Sequence, residues 1–384
     1  MICLVGSGLR FATIDAVCYK GEDFLSPDDY FVALLHLQAT MDAEIPLPLI
    51  VTGIAGVAGY NAFRYLRARF PGQVYGVRRE DNWPLSGDGI LGCNSDDFDR
   101  WQQIIDQIQP AAVLNCEGSC ALKSCELDPQ MAERINVTSV ENLIRVLAPT
   151  TRFIHLSIDL VFSGDKDGGY TEEDTPDPVT VYGKTMVAAE RLVLERRPDA
   201  CVLRISLPMG ISFNGHAGAI DWIQSRFKNG RPATLYFDEV RTPTYTDCLN
   251  LVVERLLGND LAGLYHCGGP RNLSLYEIAQ VINRVGGYDP KLLMGCPRID
   301  AGPMPPRAGN VTMDSSRLIA ALGDEVFHPW PLDCSMVPSD VDWHHDRSTL
   351  QGSPELLADV LYRNPRRVDS MPEFEDIESP SSSR

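Results

Sequence analysis

A chain of 384 residues can bury one large core or two smaller ones, and a hydrophobic content of 44% is ordinary for a globular protein. A net charge of -18 argues against nucleic acid or an anionic membrane surface as a main partner, and no apolar run reaches the roughly 18 residues of a membrane span. Eleven cysteines, odd in number and scattered through apolar stretches, fit reduced thiols in a cytoplasm better than a disulfide framework.

Residues 1–45 stand apart from the rest of the chain. Met1 to Val5 is too short, and lacks the basic start, for a secretory signal. The stretch is read as an N-terminal extension with no assigned role. The first organised segment begins at Leu47. Leu49, Ile50 and Val51 predict a buried strand, which breaks into Thr52-Gly53-Ile54-Ala55-Gly56-Val57-Ala58-Gly59 and continues as a helix with Ala62, Tyr65 and Leu66 on one side. A glycine turn between strand and helix is a phosphate cradle. Gly53 allows the sharp turn, Gly56 lets a pyrophosphate approach the backbone, and Gly59 lets the helix pack close, with Ile54 and Ala55 in the same dinucleotide-binding loop.

Gln73 to Val77 predicts the second strand, ending in Arg78 and Arg79. In a doubly wound sheet that end lies beside the adenosine ribose, where paired arginines suit a 2′-phosphate and hence NADPH. A helix over 97–109, a strand over 111–115 that ends in Asn115, a helix over 131–147 and a strand over 152–157 come next. Strands alternating with helices call for an α/β fold, a Rossmann-type doubly wound parallel sheet. Residues 46–207 are read as this NADP-binding domain. A smaller, interleaved substrate-binding portion covers 208–330, with helices over 219–229, 247–257 and 275–285; residues 263–268 return to the sheet. Residues 331–384 read as a C-terminal extension with a last helix near 353–362 and, from about 369, an acidic Ser/Pro-rich disordered tail.

No metal site is expected. Cys116, Cys120 and Cys125 lack a CxxC spacing and a companion histidine, and read as small buried side chains. His344-His345-Asp346 are adjacent residues that cannot easily converge on one ion, and read as a solvated loop.

Ligands in such sheets bind outside the carboxyl ends of the strands, which brings forward Ser157-Ile158-Asp159-Leu160-Val161-Phe162-Ser163-Gly164. About twenty residues later, VYGKTMVAAE (181–190) opens a helix. Together with TGIAGVAG, LNCEGSCALKSCELDPQMAERINV, LSIDLVFSG, DEVRTPTYTDCL, GLYHCGGPRNLSLYEIAQVI and VTMDSSRL, these blocks resemble the extended short-chain dehydrogenase/reductases, most closely the dTDP-4-dehydrorhamnose reductase branch. The likeness spans about residues 47 to 320. It implies an NADPH-dependent reduction of a 4-keto nucleotide sugar in the cytoplasm, as in dTDP-rhamnose biosynthesis, with Tyr182 as proton donor. It further implies Asn136 as the family's asparagine before the catalytic strand, and Arg241 and Thr244 beside the sugar-nucleotide site. No nucleic-acid or membrane partner is implied, and a homodimer is compatible with it.

Two departures bear on activity. The family motif is Tyr-x-x-x-Lys, yet Met186 stands four residues after Tyr182. Lys184 lies about 200° round the helix from the position the lysine should occupy. Ile158 stands where relatives carry a Ser or Thr for the substrate carbonyl; adjacent Ser157 serves only if the strand end is irregular. A unit charge about 5 Å away at an effective dielectric of about 20 is worth roughly 3 kcal/mol, or about two pKa units. Without the lysine, Tyr182 stays near its ordinary value. Oxidation suffers most, because it needs tyrosinate, whereas reduction needs only the neutral phenol. Three classes therefore stand: a working reductase, a non-catalytic NADP-binding partner protein, for which the regulatory β subunit of methionine adenosyltransferase in this same branch is the precedent, and an epimerase or dehydratase.

Overall fold

In this computed structural model, residues 44–362 are described, apart from 82–83, 216 and 324–325. The N-terminal extension to residue 43 and the acidic tail lie outside the described residues. Seven strands form the main sheet: β1 (Leu49–Thr52), β2 (Val74–Arg78), β3 (Ile90–Gly92), β4 (Ala112–Asn115), β5 (Arg152–Ile158), β6 (Cys201–Ile205) and β7 (Gly263–Cys267). They run in the order β3-β2-β1-β4-β5-β6-β7, and every neighbouring pair is parallel. The reversal of winding between β1 and β4 is the switch point of a doubly wound fold.

Strand alternation assigns each residue a face. Leu49, Val51, Ala112, Leu114, Ile154 and Leu203 join Phe63 and Leu66 of α1 (Val57–Arg69) in one buried cluster. Ile50, Val113, Phe153 and Val202 point the other way. They meet Trp101 and Ile104 of α2 (Phe98–Ile108), Val140 and Leu143 of α3 (Ser139–Val146), and Ala189 and Val193 of α4 (Val181–Arg196). β1 is covered on both sides, which is why its residues read as a continuous apolar run. Each such large apolar side chain contributes about 1.5–3 kcal/mol on burial.

The smaller portion packs α5 (Ala219–Lys228) and α7 (Leu275–Val285) around Phe227, Leu235, Ile278 and Ile282, while α6 (Thr246–Leu257) covers the main sheet. Ser274 caps α7 in a reciprocal capping box with Glu277. Trp330, Trp343, Leu357 and Leu361 are buried in the same core. The stretch after 331 is thus a structural part of the smaller portion up to the last described helix, and not an appended extension. β3 is a short strand the sequence does not announce. The helix expected over 131–147 is broken by a π-turn at Arg134–Thr138. None of the described helices is long and apolar enough to cross a membrane.

Candidate functional site

The glycine turn is built as its spacing requires. Gly53 has φ +64°, and a Cβ there would stand 2.4 Å from the Cys116 carbonyl oxygen. A Cβ on Gly59 would stand 2.4 Å from the Gly53 oxygen, so the α1 backbone packs directly on the turn. Gly56 caps α1 without a side chain, and no acidic residue occupies the first helical turn. The N-terminal N–H groups and their positive dipole end therefore stay available to an anion. Gly56, Val57, Ala58 and Gly59 line a cavity of about 270 Å³. Ile54 and Ala55 do not: both are buried, and Ile54 belongs to the main core.

The cavity wall also includes residues of α4. Thr180 caps this helix, its hydroxyl accepting from the Gly183 N–H at 2.9 Å. A Cβ on Gly183 would lie 2.2 Å from the Leu160 oxygen, so glycine here permits the helix to seat on the 3-10 turn Asp159–Val161 after β5. That seating brings Tyr182 and Met186 to the cavity wall, while Lys184 is exposed. Burial pushes the Tyr182 phenol well above its ordinary value; Cys120 and Asp159 add to this and Arg241 opposes it. Tyr182 is held as the neutral acid.

Asn136 does not reach the cavity. From the π-turn, its Oδ1 accepts from the Ser119 N–H at 2.7 Å and its Nδ2 donates to Thr185 Oγ1 at 2.8 Å, tying the loop after β4 to α4. Asn115 is likewise a brace: Thr52 Oγ1 donates to its Oδ1, and its Nδ2 meets His155 Nδ1 at 2.9 Å. Ser157 reaches the cavity wall, but β5 stays regular and its hydroxyl donates to Glu190 Oε1 at 2.5 Å. Glu190 also accepts from Arg204 Nε at 2.8 Å and Nη2 at 2.7 Å. The hydroxyl read from sequence as a catalytic group is thereby held in a buried ion-pair network, and Ile158 leaves its own cavity position apolar.

Arg241 lines the cavity and Thr244 does not. Arg241 donates through Nε to Asp159 Oδ2 at 2.7 Å and through Nη2 to Oδ1, and its Nη1 lies 3.8 Å from Glu239. Thr244 is buried, with its hydroxyl turned to the Thr242 and Cys267 carbonyls. Arg78 donates to the Leu85 and Arg79 carbonyls, and Arg79 to Asp81 Oδ1 at 2.8 Å; both stand at the end of β2, outside the cavity lining.

Several lining residues escape a sequence reading. Glu239 and Arg307 form an ion pair at 3.0 Å, and Asp221 faces the same space from the first turn of α5. Arg307 lies in a Pro/Gly-rich loop with no pattern to mark it. Glu117, two residues beyond Asn115 at the carboxyl end of β4, lies where such sheets bind ligands, and position alone could have found it. Cys116 and Cys120 also line the cavity and only Cys125 of the three is buried. His344, read as solvated, is buried and meets Gln280 at 3.2 Å. Among the described residues no group of three His, Cys, Asp or Glu side chains is placed to hold a metal ion.

A parallel sheet wound about a glycine turn, with a tyrosine heading the helix after β5, defines an extended short-chain dehydrogenase/reductase. The chain belongs to the family described as the RmlD substrate binding domain, whose model matches residues 48–336, within the dTDP-4-dehydrorhamnose reductase-like branch. It is 27% identical over 276 residues to a protein described as a probable low-salt glycan biosynthesis reductase of Haloferax volcanii, covering 71% of this chain and 91% of that one. It is 30% identical over 245 residues to methionine adenosyltransferase 2 subunit beta of Xenopus laevis, covering 60% of this chain and 69% of the relative. In fold it is similar to a dTDP-4-dehydrorhamnose reductase of Bacillus anthracis, solved with NADP, at a TM-score of 0.60 and 20% identity, covering 81% of this chain and 97% of that one.

Proposed function

We propose that this protein binds NADP(H) against the glycine turn lining the cavity and acts as a non-catalytic, partner-binding member of its family. The observation that carries this reading is Met186. It occupies the cavity wall one turn beyond Tyr182, where the family motif has lysine, while Lys184 is exposed. A thioether can neither anchor a ribose hydroxyl nor lower a phenol pKa.

The residues present fit a dinucleotide. The turn leaves no room for a Cβ at Gly53 or Gly59, and α1 offers an uncapped N-terminus free of acidic side chains. Arg78 and Arg79, at the end of β2, are the cations nearest in sequence to where a 2′-phosphate would sit, and among the described residues Arg79 is held only by the exposed Asp81, which a phosphate could displace. When bound, the nicotinamide would supply a hydride. What this chain contributes to such chemistry is reduced: Ser157 is committed to Glu190, Ile158 is apolar, and both cavity arginines are paired with carboxylates. An arginine neutralised in this way is a poor receptor for a sugar-nucleotide diphosphate. The name of the Xenopus relative, a subunit beta of methionine adenosyltransferase 2, supplies a partner class, another subunit of such an enzyme.

The test is to mix the purified chain with a methionine adenosyltransferase catalytic chain, with and without NADPH, and follow complex formation by ultracentrifugation. A complex that NADPH strengthens supports the reading. No complex, together with substrate-dependent oxidation of NADPH, overturns it.

One observation favours a second reading, a 4-keto nucleotide-sugar reductase. Tyr182 still faces the cavity, and burial holds it in the neutral form that reduction needs. Asn136, Arg241 and Thr244 would then position the site, as binding or supporting groups.

A further inference from the structure

Glu117 is a carboxyl in the wall of the proposed dinucleotide site to which the family resemblance gives no role. It is 6% exposed and lines the cavity together with Gly56–Gly59. Its backbone nitrogen lies 2.7 Å from where a Cβ on Gly53 would stand, so its backbone abuts the phosphate-binding turn, and the residue lines the same cavity as that turn. The elements around it bring few charges. The glycine turn brings none. The turn after β3 brings Ser95, whose hydroxyl donates to Glu117 Oε1 at 2.6 Å, and the thiol of Cys93. The segment after β2 brings Arg79, which gives its Nε to Asp81 instead.

We propose that Glu117 sets the charge a dinucleotide meets at the phosphate-binding turn, so that affinity for NADPH falls as this carboxyl ionises. The inference rests on the dinucleotide reading above. Its chemistry is plain: a carboxylate beside the turn opposes a pyrophosphate and a 2′-phosphate, whereas the protonated acid donates a hydrogen bond to either. Burial pushes the Glu117 carboxyl up to about 7, against the Ser95 hydrogen bond and Arg79, with Asp81 raising it further. The change of charge therefore falls in the neutral range. A single like charge in a partly desolvated groove changes affinity on the order of tenfold.

The experiment is calorimetric titration of the full chain with NADPH and with NADH from pH 6 to about 8.5. The 2′-phosphate itself titrates near about 6, so each profile is read against Glu117→Gln, which keeps the ligand's own titration. Wild type should lose roughly tenfold in NADPH affinity across this range while Glu117→Gln stays nearly flat above about 7. Ser95→Ala, which removes the bond that favours the carboxylate, should move the wild-type midpoint to higher pH. Identical pH profiles in wild type and Glu117→Gln would overturn the inference while leaving the dinucleotide site intact. No binding of either dinucleotide at any pH would overturn the site reading and this inference together.

Discussion

Ser157 Oγ donates to Glu190 Oε1 at 2.5 Å, and Glu190 stands one turn beyond Met186 on the helix that Tyr182 heads. Residues 182, 186 and 190 share one helix face. Along that face a proton donor is followed by a thioether and then by a carboxylate that removes the neighbouring hydroxyl from use. Glu190 in turn holds Arg204, whose Nη1 meets His266 Nε2 at 3.2 Å while His266 Nδ1 meets the Tyr170 carbonyl. Ser157 and Glu190 thus belong to one buried hydrogen-bonded network that runs to His266 and the Tyr170 carbonyl.

Removing Glu190 leaves the Arg204 guanidinium, 2% exposed, without its carboxylate. Glu190→Ala should destabilise the fold by about 3–5 kcal/mol, read as a shift of the urea midpoint at constant m-value. A change under about 1 kcal/mol would mean that the pair is not held as described.

Met186→Lys places an ammonium at a position only 4% exposed. The apo protein should lose about 1–3 kcal/mol of stability, because the new charge is desolvated. NADPH should restore more of the melting temperature in this variant than in wild type, and the Tyr182 phenol should titrate about two units lower by ultraviolet difference spectra. A stable variant with neither change would show that Met186 does not sit where the family lysine acts.

Gly53→Ala adds a methyl group at φ +64° into the Cys116 carbonyl, and no flexible side chain can yield there. The expected cost is at least about 1–3 kcal/mol, with dinucleotide binding abolished. Calorimetry showing wild-type NADPH affinity in a folded Gly53→Ala protein would remove the turn from the site.

Acid should destabilise the fold through three buried histidines. Burial lowers His155, His266 and His344 to about 4 from the ordinary value near 6.5, so the unfolded chain binds more protons as pH falls. Their contribution is complete above about 6.5 and is lost as pH falls toward 4, roughly 3 kcal/mol for His155 alone. Glu117 has the opposite sign: its raised folded value costs stability as pH rises from about 4.5 through 7. Melting curves are therefore best compared in the Glu117→Gln background, which removes this opposing carboxyl from the window in which the histidines act.

The sequence made the frame of this molecule legible because the frame is local. Alternating apolar runs, glycines at the turn and the Ser274 cap each act within a few residues, and they place β1, α1, α4 and α7 correctly. β3 escaped because three half-buried residues carry no periodicity, and the π-turn because one inserted residue barely disturbs a helical pattern. The site was legible only in part. Tyr182 and the glycines announce themselves, but Ser157 finds Glu190 33 residues away, Glu117 finds Ser95 at a separation of 22, and Arg307 meets Glu239 only through tertiary packing. Partners at such distances are set by how the layers close, which no spacing rule reports.

The most direct test of the central claim combines binding and turnover in one sample. NADPH is titrated into the wild-type chain by calorimetry, and the same solution is then given a panel of 4-keto nucleotide sugars while the absorbance of the reduced nicotinamide is followed, with Tyr182→Phe in parallel. The non-catalytic reading predicts saturable NADPH binding in both proteins and no substrate-dependent loss of absorbance in either. Steady oxidation by wild type that falls on the order of 10²-fold or more in Tyr182→Phe would contradict it and establish Tyr182 as a working proton donor.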